Sequence, residues 1–558
     1  MNIMNDDKRK MNKEFLNRFE NCIPLLAGLV LLLFVLLIYA PLELLYGNEY
    51  EFSYNMYDVL LYMLPVFIVS TCACVAVILP LTRRQSKLYF PVVAVLFAAG
   101  IATYIQGTFL AGNLPPLDGR TIVWKDYADQ RIKSIILWVC VGITVLFLLK
   151  KLGTIKFGKM TAFVSCFLLL MLGLSLLLTC FSTGGYHRNR QVVHSESYMM
   201  DLSDHENLVV FLVDAVDGET FREVLAEHPE YKEIFADFTS FTNVSSAYPY
   251  TSRAIPFILS GQWYENEIPY GEYCKEAFSS SPLFAQMKQR DYRMGLYDPE
   301  LYFIPGLEEQ FENISPADHF SSVLQFIKMQ ILMSGYRYLP FDLKPICYLT
   351  PDEIYTSSAK TSGLGALYTA DNEEFFNRLQ LKEVTLSEEN CFRFIYIRGA
   401  HEPFIYPAQS AAFENNSYES SIEMSVSIAA EYLEKLKSSG VYDSTAVVFL
   451  ADHGYAPDNA SFGRQNPFLL IKGRNESHPF SESAAPVSHE DLQQCFMRLL
   501  DGADGASAFD WQEGEARDRR FLFFEYEKED MIWEYTLSGE ASDESALSPT
   551  GKVYEYRA

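Results

Sequence analysis

Five long apolar runs within the first 182 residues constrain the fold of this chain more than any other feature. Four of them have 20 to 23 residues, enough to cross a bilayer as helices: Ile23–Leu42, Val59–Leu79, Leu88–Leu110 and Met160–Phe181. The fifth, Ser134–Leu149, has 16 residues, and the lysines that flank it can reach the interface and extend it. Buried core helices are the alternative interpretation, which the scarcity of charge inside the runs disfavours. The sequence therefore predicts an N-terminal α-helical transmembrane bundle of five spans over residues 1–182.

The basic residues between these runs predict the orientation of the chain. Lys and Arg favour cytoplasmic loops, and 12 of them lie in the N-terminal segment, the second loop and the fourth loop. The first loop has none, and the third has four, diluted by three Asp. We therefore expect a multi-pass protein of the cell membrane with a cytoplasmic N-terminus. Everything after Phe181 would then be extracellular or periplasmic.

Charge divides the chain in the same way. Residues 1–182 contain 16 Lys and Arg against 11 Asp and Glu, whereas the remainder contains 29 against 60. Because a domain this acidic repels nucleic acid, we expect no nucleic-acid partner. An anionic substrate such as a phosphate would need a local positive centre, which a bound metal ion supplies.

Beyond residue 182 the pattern changes to alternating strands and helices. Residues 183–206 are polar and are predicted to form a linker. The continuous apolar run Asn207–Val213 predicts a strand buried on both faces. Three further strands and three helices are predicted after it: strands 393–397, 445–450 and 468–471, and helices 218–227, 420–438 and 489–500. This alternation predicts a parallel α/β domain over residues 207–505.

The C-terminal residues 506–558 have a different pattern. Aromatic and charged residues alternate over 519–527, 531–537 and 551–557, which predicts a small antiparallel β subdomain. The four cysteines after the spans lack the CxxC spacing of a zinc knuckle. They could form disulfides in an exported domain or remain buried thiols.

Polar residues follow the predicted strands, at the edge where parallel sheets collect their ligands. Asp214 ends the first strand, His401 follows the second, and Asp452 and His453 follow the third. Carboxylates and an imidazole suit a divalent metal ion. Taken alone, Asp214 could equally be a helix N-cap or a turn residue.

The segment Tyr-Thr-Ser-Arg-Ala-Ile-Pro, residues 250–256, supplies a hydroxyl group. Thr251 could begin an N-cap motif before a helix through Ile255–Leu259. It could also be a nucleophile, since both a nucleophile and a bound phosphate gain from a helix N-terminus. The two interpretations are compatible. A hydroxyl next to hard metal ligands predicts attack on phosphorus or sulfur.

Together these motifs resemble the sulfatase/alkaline-phosphatase superfamily. The matching order is Leu-Val-Asp214, Thr251-x-x-x-Ile-Pro256, His401 and Asp452-His453-Gly454. Within the superfamily, the architecture is similar to that of the five-span lipoteichoic acid synthases and lipid A phosphoethanolamine transferases. The resemblance implies that residues 207–505 form an α/β sulfatase-like catalytic domain.

The resemblance also implies a metal site and a nucleophile. Asp214, Thr251, Asp452 and His453 would hold one divalent ion (Mn²⁺, Zn²⁺ or Mg²⁺), and Thr251 would be the catalytic nucleophile. The transferases usually have Glu at the position of Asp214, so this chain departs from them there. Sulfatases have Cys or Ser at the position of Thr251, which becomes formylglycine. Threonine cannot be converted in this way, which argues against sulfate-ester hydrolysis.

Three further residues could contribute to the site, and one of them, His401, has a counterpart in the family. His401, in Gly-Ala-His-Glu-Pro, matches a family histidine that binds substrate phosphate, and it would also take part in catalysis. Arg253 would bind substrate oxygens, or else form a surface salt bridge. His489 is interpreted as a helix-start residue rather than a site residue.

We therefore expect a membrane phosphotransferase. It would move a phosphoglycerol or phosphoethanolamine headgroup from a membrane phospholipid donor to an envelope glycan or lipid acceptor, through a phospho-threonine and without a nucleotide. One alternative is a membrane-anchored sulfatase or phosphodiester hydrolase, in which water is the acceptor. Another is a non-catalytic, lipid-binding regulator on the same fold. Loss of the nucleophile or the ligands would favour the regulator, and all of them are present.

Overall fold

The computed structural model describes most of the chain. The described residues are 22–48, 52, 54–84, 88–112, 114–115, 117, 122–186, 192–301, 304, 306–317, 319–361, 364–402, 404, 417–456, 463–525 and 528–556. Several basic residues used to predict the orientation lie outside them: Lys8, Arg9, Lys10, Lys13, Arg18, Lys87 and Arg120. The chain forms two compact units. The first comprises residues 1–189 and 320–360, and the second comprises residues 190–319 and 361–558.

The secondary structure has these bounds in chain order. The α-helices are α1 Ile23–Gly47 (with a π-helical turn at Val35–Tyr39), α2 Met56–Arg84, α3 Tyr89–Phe109, α4 Ala128–Thr183, α5 Gly218–Glu227, α6 Tyr231–Ile234, α7 Thr251–Ser260, α8 Tyr270–Ser279, α9 Pro282–Gln289, α10 Val323–Tyr338, α11 Pro351–Ser358, α12 Asn372–Leu381, α13 Tyr418–Ser438 and α14 Leu492–Leu500. The strands are β1 Val192–His194, β2 Asp201–Ser203, β3 Asn207–Val213, β4 Thr239–Phe241, β5 Val244–Ser245, β6 Arg293–Tyr297, β7 Ile314–Pro316, β8 His319–Phe320, β9 Lys360–Thr361, β10 Thr385–Ser387, β11 Cys391–Ile397, β12 Thr445–Leu450, β13 Leu469–Lys472, β14 Ser481–Ser483, β15 Val487–Ser488, β16 Asp518–Glu525, β17 Lys528–Ser538 and β18 Leu547–Glu555.

The first unit contains the apolar helices. Among the described residues, four helical segments are long and apolar enough to cross a membrane. They are α1, α2, α3 and a segment of 60 residues, Trp124–Thr183, which includes α4. Helix α4 contains both the fourth and the fifth predicted run. The structure thus has apolar N-terminal helices, as predicted, with the last two runs joined in one helical segment.

Helix α4 is interrupted at Gly153, where φ is 72° and ψ is 166°, a conformation that favours glycine. Without a break, its 56 residues would span about 84 Å. Near its start, the Ser134 hydroxyl donates to Gln106 Oε1 at the end of α3 (2.7 Å). Near its end, Cys180 Sγ lies 3.7 Å from Met56 Sδ at the start of α2. Helices α2 and α3 follow each other along the chain, so these two contacts fit a reversal of direction within α4.

The first unit also contains a segment from the second half of the sequence, residues 320–360. It consists of α10, the 3₁₀ helix Phe341–Cys347 and α11, and it packs against the N-terminal helices. The sequence analysis placed this segment inside the domain predicted for residues 207–505. The structure differs from this expectation, because residues 320–360 belong to the first unit. The apolar pattern of the segment indicates that one face is buried, but it does not identify the helices or strands that bury it.

A seven-stranded sheet forms the centre of the second unit, in the order β14-β4-β13-β12-β3-β11-β6. Strands β6, β11, β3 and β12 are parallel. This confirms the parallel arrangement predicted for β3, β11 and β12, whereas the sequence analysis did not predict β6. Strand β13 runs antiparallel to both of its neighbours, so the sheet is mixed rather than wholly parallel. Every residue of β3 is buried, and alternate residues contribute to two hydrophobic clusters, one on each face. The expectation of a strand covered on both faces is therefore confirmed.

The C-terminal residues form a separate three-stranded antiparallel sheet, in the order β16-β17-β18. This confirms the predicted meander. The four cysteines after the predicted spans are buried free thiols in the described chain: Cys274, Cys347, Cys391 and Cys495.

Candidate metal and nucleophile site

The topology of the central sheet brings two acids together. Strands β3 and β12 are parallel neighbours, with Leu212 opposite Leu450. Asp214 follows the end of β3 and Asp452 follows the end of β12, so both carboxylates leave the sheet at the same edge. The backbone N–H of Ala215 donates to Asp452 Oδ1 (3.1 Å), which holds the two strand ends together.

His453 completes a compact group with these acids. Its Nε2 lies 3.7 Å from Asp214 Oδ1 and 3.4 Å from Asp452 Oδ2. One ligand atom from each of the three residues lies within 4.8 Å of the others, and all three residues are buried. Asp452 Oδ2 has no hydrogen-bond partner among the described residues. A buried carboxylate oxygen without a hydrogen bond lowers the stability of the folded state unless a cation or a water molecule binds to it.

The protonation state of His453 suits a metal ligand. Burial lowers the pKa of His453 to about 4, so the ring is neutral near pH 7. Its Nδ1 faces the Gly454 carbonyl oxygen at 2.7 Å. Donation from Nδ1–H leaves the Nε2 lone pair directed at the acids, which is the tautomer that metal-binding histidines adopt. Two carboxylates, one imidazole and an orphaned oxygen thus fit a divalent cation.

Thr251 lies beside this group, at the N-terminus of α7. The N-cap residue is Tyr250, whose backbone is extended, and Thr251 is the first helical residue. The N-cap interpretation of Thr251 is therefore wrong. Its hydroxyl instead points at Asp214, with Oγ1 3.4 Å from Oδ1. The positive end of the helix dipole lies at this position and favours a nearby anion.

Tyr396 fixes the orientation of Asp214. Its hydroxyl donates to Asp214 Oδ2 at 2.8 Å, which leaves Oδ1 directed towards Thr251 and His453. Tyr396 lies on β11, directly next to β3. Sequence reasoning missed it, because the pairing of two strands separated by almost 200 residues is not visible in a local pattern.

His401 reaches the same edge of the sheet from the end of β11. The Ala400 backbone N–H donates to the Asp214 carbonyl oxygen (2.9 Å), which holds this loop against the site. The ring of His401 reaches solvent. The protein around it nevertheless displaces enough water to lower its pKa, and the charges of Arg398 and Arg464 act in the same direction. The negative charge of Asp452, one of the candidate metal ligands, opposes this shift.

Two arginines, Arg253 and Arg464, lie near Tyr250. Arg253 is buried, and its guanidinium lies 3.6 Å from the ring centroid of Tyr270, with the Tyr264 and Phe524 rings further away. Its predicted contact with substrate oxygens stays a prediction. The alternative, a surface salt bridge, is wrong, because the side chain is buried. Arg464, which the sequence analysis missed, is only partly buried.

The charge of Arg464 acts on two histidines at the edge of the sheet. Its guanidinium lies 4.9 Å from the ring centroid of Tyr250, and its positive charge lowers the pKa of both His401 and His453. Its carbonyl oxygen accepts from the Gly454 N–H (2.8 Å). The only signal in the sequence was a basic residue shortly after the Asp-His-Gly motif.

His489 is both a helix-start residue, as predicted, and a neighbour of the site. It begins a 3₁₀ helix that Ser488 caps. Burial lowers the pKa of His489 to about 4, while the negative charge of Asp452 opposes this shift. The positive charge of a protonated His453 also acts on it. A second neutral imidazole therefore lies near the acid that has the orphaned oxygen.

Comparison with known proteins defines the class of this chain. A family model described as Sulfatase matches residues 206–503, more than half of the sequence. The chain therefore belongs to the sulfatase family, and the resemblance predicted from the motifs is confirmed. A comparison with curated proteins gives no match.

Solved structures similar to this chain include three from bacteria. The lipoteichoic acid synthase LtaP from Listeria monocytogenes has 11% identity and a TM-score of 0.36, and the match covers 63% of this chain and 92% of that chain. The phosphonate monoester hydrolase SpPMH from Silicibacter pomeroyi has 15% identity and a TM-score of 0.37, with 63% and 89% covered. An alkaline phosphatase superfamily protein from Vibrio parahaemolyticus has 14% identity and a TM-score of 0.37, with 65% and 81% covered.

Proposed function

We propose that this chain is a membrane phosphotransferase that moves a phosphoglycerol or phosphoethanolamine headgroup from a phospholipid to an envelope glycan or lipid. The observation that carries the proposal is the Thr251 hydroxyl, 3.4 Å from Asp214 at a helix N-terminus. A threonine nucleophile can form a phosphoester but cannot become formylglycine. This favours transfer at phosphorus over sulfate-ester hydrolysis.

The residues of the site fit such a transfer. A divalent cation held by Asp214, Asp452 and His453 would supply positive charge that lowers the pKa of a neighbouring hydroxyl. Thr251 Oγ1 would attack the phosphorus of the donor diester, and the bond from phosphorus to the diacylglycerol oxygen would break. The Thr251 proton would leave towards Asp214, and the diacylglycerol oxygen would take a proton from water or from His401.

The second half of the cycle would use the same groups in reverse. An acceptor hydroxyl would attack the phospho-threonine ester, take the headgroup and restore the free Thr251 hydroxyl. Arg464 and the N-terminus of α7 would stabilise the charge on the phosphoryl oxygens. Two diesters are exchanged, so the reaction needs no nucleotide as an energy source.

The proposed location is the outer surface of the cell membrane, reached after five spans. The break in α4 at Gly153 supports two spans in that helical segment, and the distribution of basic residues supports a cytoplasmic N-terminus. The segment 320–360 contacts Glu43, Asp58 and Ser134, which border the first and third loops. This supports a topology in which the first loop, the third loop and the chain after α4 all lie on one side of the membrane. A reporter fused after Ala558 that is active in the cytoplasm would contradict this orientation.

The test of function is lipid turnover by the purified full chain. With headgroup-labelled phosphatidylglycerol or phosphatidylethanolamine in vesicles, we expect release of diacylglycerol and label on a peptide containing Thr251. Release of the headgroup phosphate to water, with no transfer to an added glycan or lipid, would indicate a hydrolase. Lipid binding without turnover, in enzyme that contains metal, would indicate a regulator and refute the proposal.

A further inference from the structure

The segment 320–360 has large apolar side chains exposed on its outer surface. Leu324 is 77% exposed and Ile346 is 74% exposed. Ile331, two turns from Leu324 on the same side of α10, and Leu343, three residues before Ile346, are also exposed. A soluble domain rarely displays such residues in a group.

The opposite side of α10 is also apolar. Phe326, Met329 and Met333 are buried in the cluster that contains the residues of α1 and α2. The exposed side also carries Gln325 and Lys328, so α10 has large apolar side chains on two sides without being apolar all round. A helix with two apolar sides is typical of a protein core or of contact with lipid. Since one side of α10 already packs on the N-terminal helices, the other side is the one that needs an apolar neighbour.

Specific contacts hold this segment on the N-terminal helices. The Tyr338 ring fills the space in front of Gly107, where a Cβ would overlap it, and it meets the Tyr39 ring edge-on. Arg337 pairs with Glu43 at 2.7 Å, partly buried. The insertion is therefore attached by packing against α1 and α3, not merely near them.

Two polar contacts join the segment 320–360 to the ends of the apolar helices. Lys360 pairs with Asp58 at 2.7 Å, and the Phe341 N–H donates to the Ser134 hydroxyl at 3.0 Å. Both partners lie at the ends of helices predicted to span the membrane. Aromatic residues with a polar edge, which favour the membrane interface, meet the segment or belong to it. Tyr54 and Tyr62 contact Phe326, Trp124 contacts Tyr336, and Tyr39 contacts Tyr338.

We propose that residues 320–360 form an insertion embedded in the membrane interface, with Leu324, Ile331, Leu343 and Ile346 in contact with acyl chains. The bilayer is the occupant, rather than a partner protein, because the segment packs on helices that are long and apolar enough to cross a membrane and that expose large apolar side chains of their own. Lys328, on the exposed side of α10 between Leu324 and Ile331, can extend along the helix to the lipid headgroups. The proposal rests on the membrane location of the first unit and not on the chemistry at Thr251.

The test uses the unmodified full chain, so no variant has to fold. The protein in nanodiscs of phosphatidylglycerol and phosphatidylethanolamine is labelled with a lipid-soluble diazirine and, separately, with a water-soluble one. Peptide mass spectrometry then compares the segment around Leu324 and Ile346 with the segment around Leu381. Leu381 is the matched control, because it is an equally apolar side chain, 85% exposed, in the second unit.

We expect the lipid-soluble reagent to label the insertion at least about tenfold more than the Leu381 peptide, because burial of its own apolar surface concentrates the reagent among the acyl chains by at least that factor. The water-soluble reagent should show the opposite order. Equal labelling of the two peptides by the lipid-soluble reagent would overturn the proposal. Protection of the insertion from both reagents would also overturn it, because protein would then cover this surface.

Discussion

Replacing Thr251 separates the chemistry of the site from its stability. Thr251→Val removes the hydroxyl but keeps the γ-methyl group and the branched shape. Thr251→Ser keeps a hydroxyl at the same atom. Ser252→Ala is the matched control on the next residue, where the recorded contact is made by the backbone carbonyl, which accepts from the Tyr270 hydroxyl. That contact survives the change to alanine.

The structure gives the expected size of each effect. The Thr251 hydroxyl makes a long hydrogen bond of 3.4 Å to Asp214, so its loss should cost at most about 1 kcal/mol of folding stability. Loss of a nucleophile typically lowers kcat by about a millionfold, or roughly 8 kcal/mol in the activation barrier. Thr251→Val should therefore inactivate the enzyme and leave it folded, Thr251→Ser should retain partial activity, and Ser252→Ala should retain most of it.

The assay is diacylglycerol release from vesicles, measured together with thermal unfolding of each variant. Phosphate trapped on residue 251 should be present in wild type and absent in Thr251→Val. If Ser252→Ala loses as much activity as Thr251→Val, the nucleophile is Ser252 and the argument from the Asp214 contact fails. If Thr251→Val unfolds near the assay temperature while wild type does not, the Thr251 hydroxyl stabilises the fold by more than its long hydrogen bond to Asp214 allows, and the expected small loss of stability is wrong.

The remaining predictions concern the metal ligands and the C-terminal sheet. Elemental analysis should find one divalent ion per chain, lost in Asp452→Ala and His453→Ala and weakened in Asp214→Ala; full activity after exhaustive chelation would refute the metal site. Tyr396→Phe should lower metal affinity by about tenfold to a hundredfold, because it removes the hydroxyl that orients the Asp214 carboxylate. Titration of the metal-free protein with the divalent ion measures this affinity. Unchanged affinity would contradict the orienting role of Tyr396. Burial alone would raise the pKa of Glu534, but hydrogen bonds from three neighbouring side chains outweigh it and lower the pKa to about 2. The ionised Glu534 therefore stabilises the fold above its unfolded pKa near 4.3, and this stability is lost as the pH falls through the folded pKa of about 2. Thermal unfolding should show Glu534→Gln destabilised at pH 7, with the difference in Tm between the variant and wild type closing below roughly pH 4. A difference in Tm that does not depend on pH would contradict this.

Much of the second unit was predictable because its elements have strong local patterns. The run Asn207–Val213 is apolar without interruption, and it forms a strand with those bounds. Asp214, Asp452 and His453 were found because parallel strands end at one edge, so a polar residue after each strand is brought to the same place. Thr251 was found from its motif, although its position as the first helical residue, rather than the N-cap, required the structure.

The sequence by itself determined the apolar helices, four of the seven strands of the central sheet, and Asp214, Asp452 and His453 at its edge, since each depends on a pattern within one short segment. Only the tertiary structure brought the charge of Arg464 to bear on His453, buried Arg253 against aromatic rings, and placed the hydroxyl that orients Asp214. It also decided that residues 320–360 pack with the N-terminal helices. A hydrophobic pattern states that a surface is buried, but the partner that buries it is set by contacts between residues far apart in the chain.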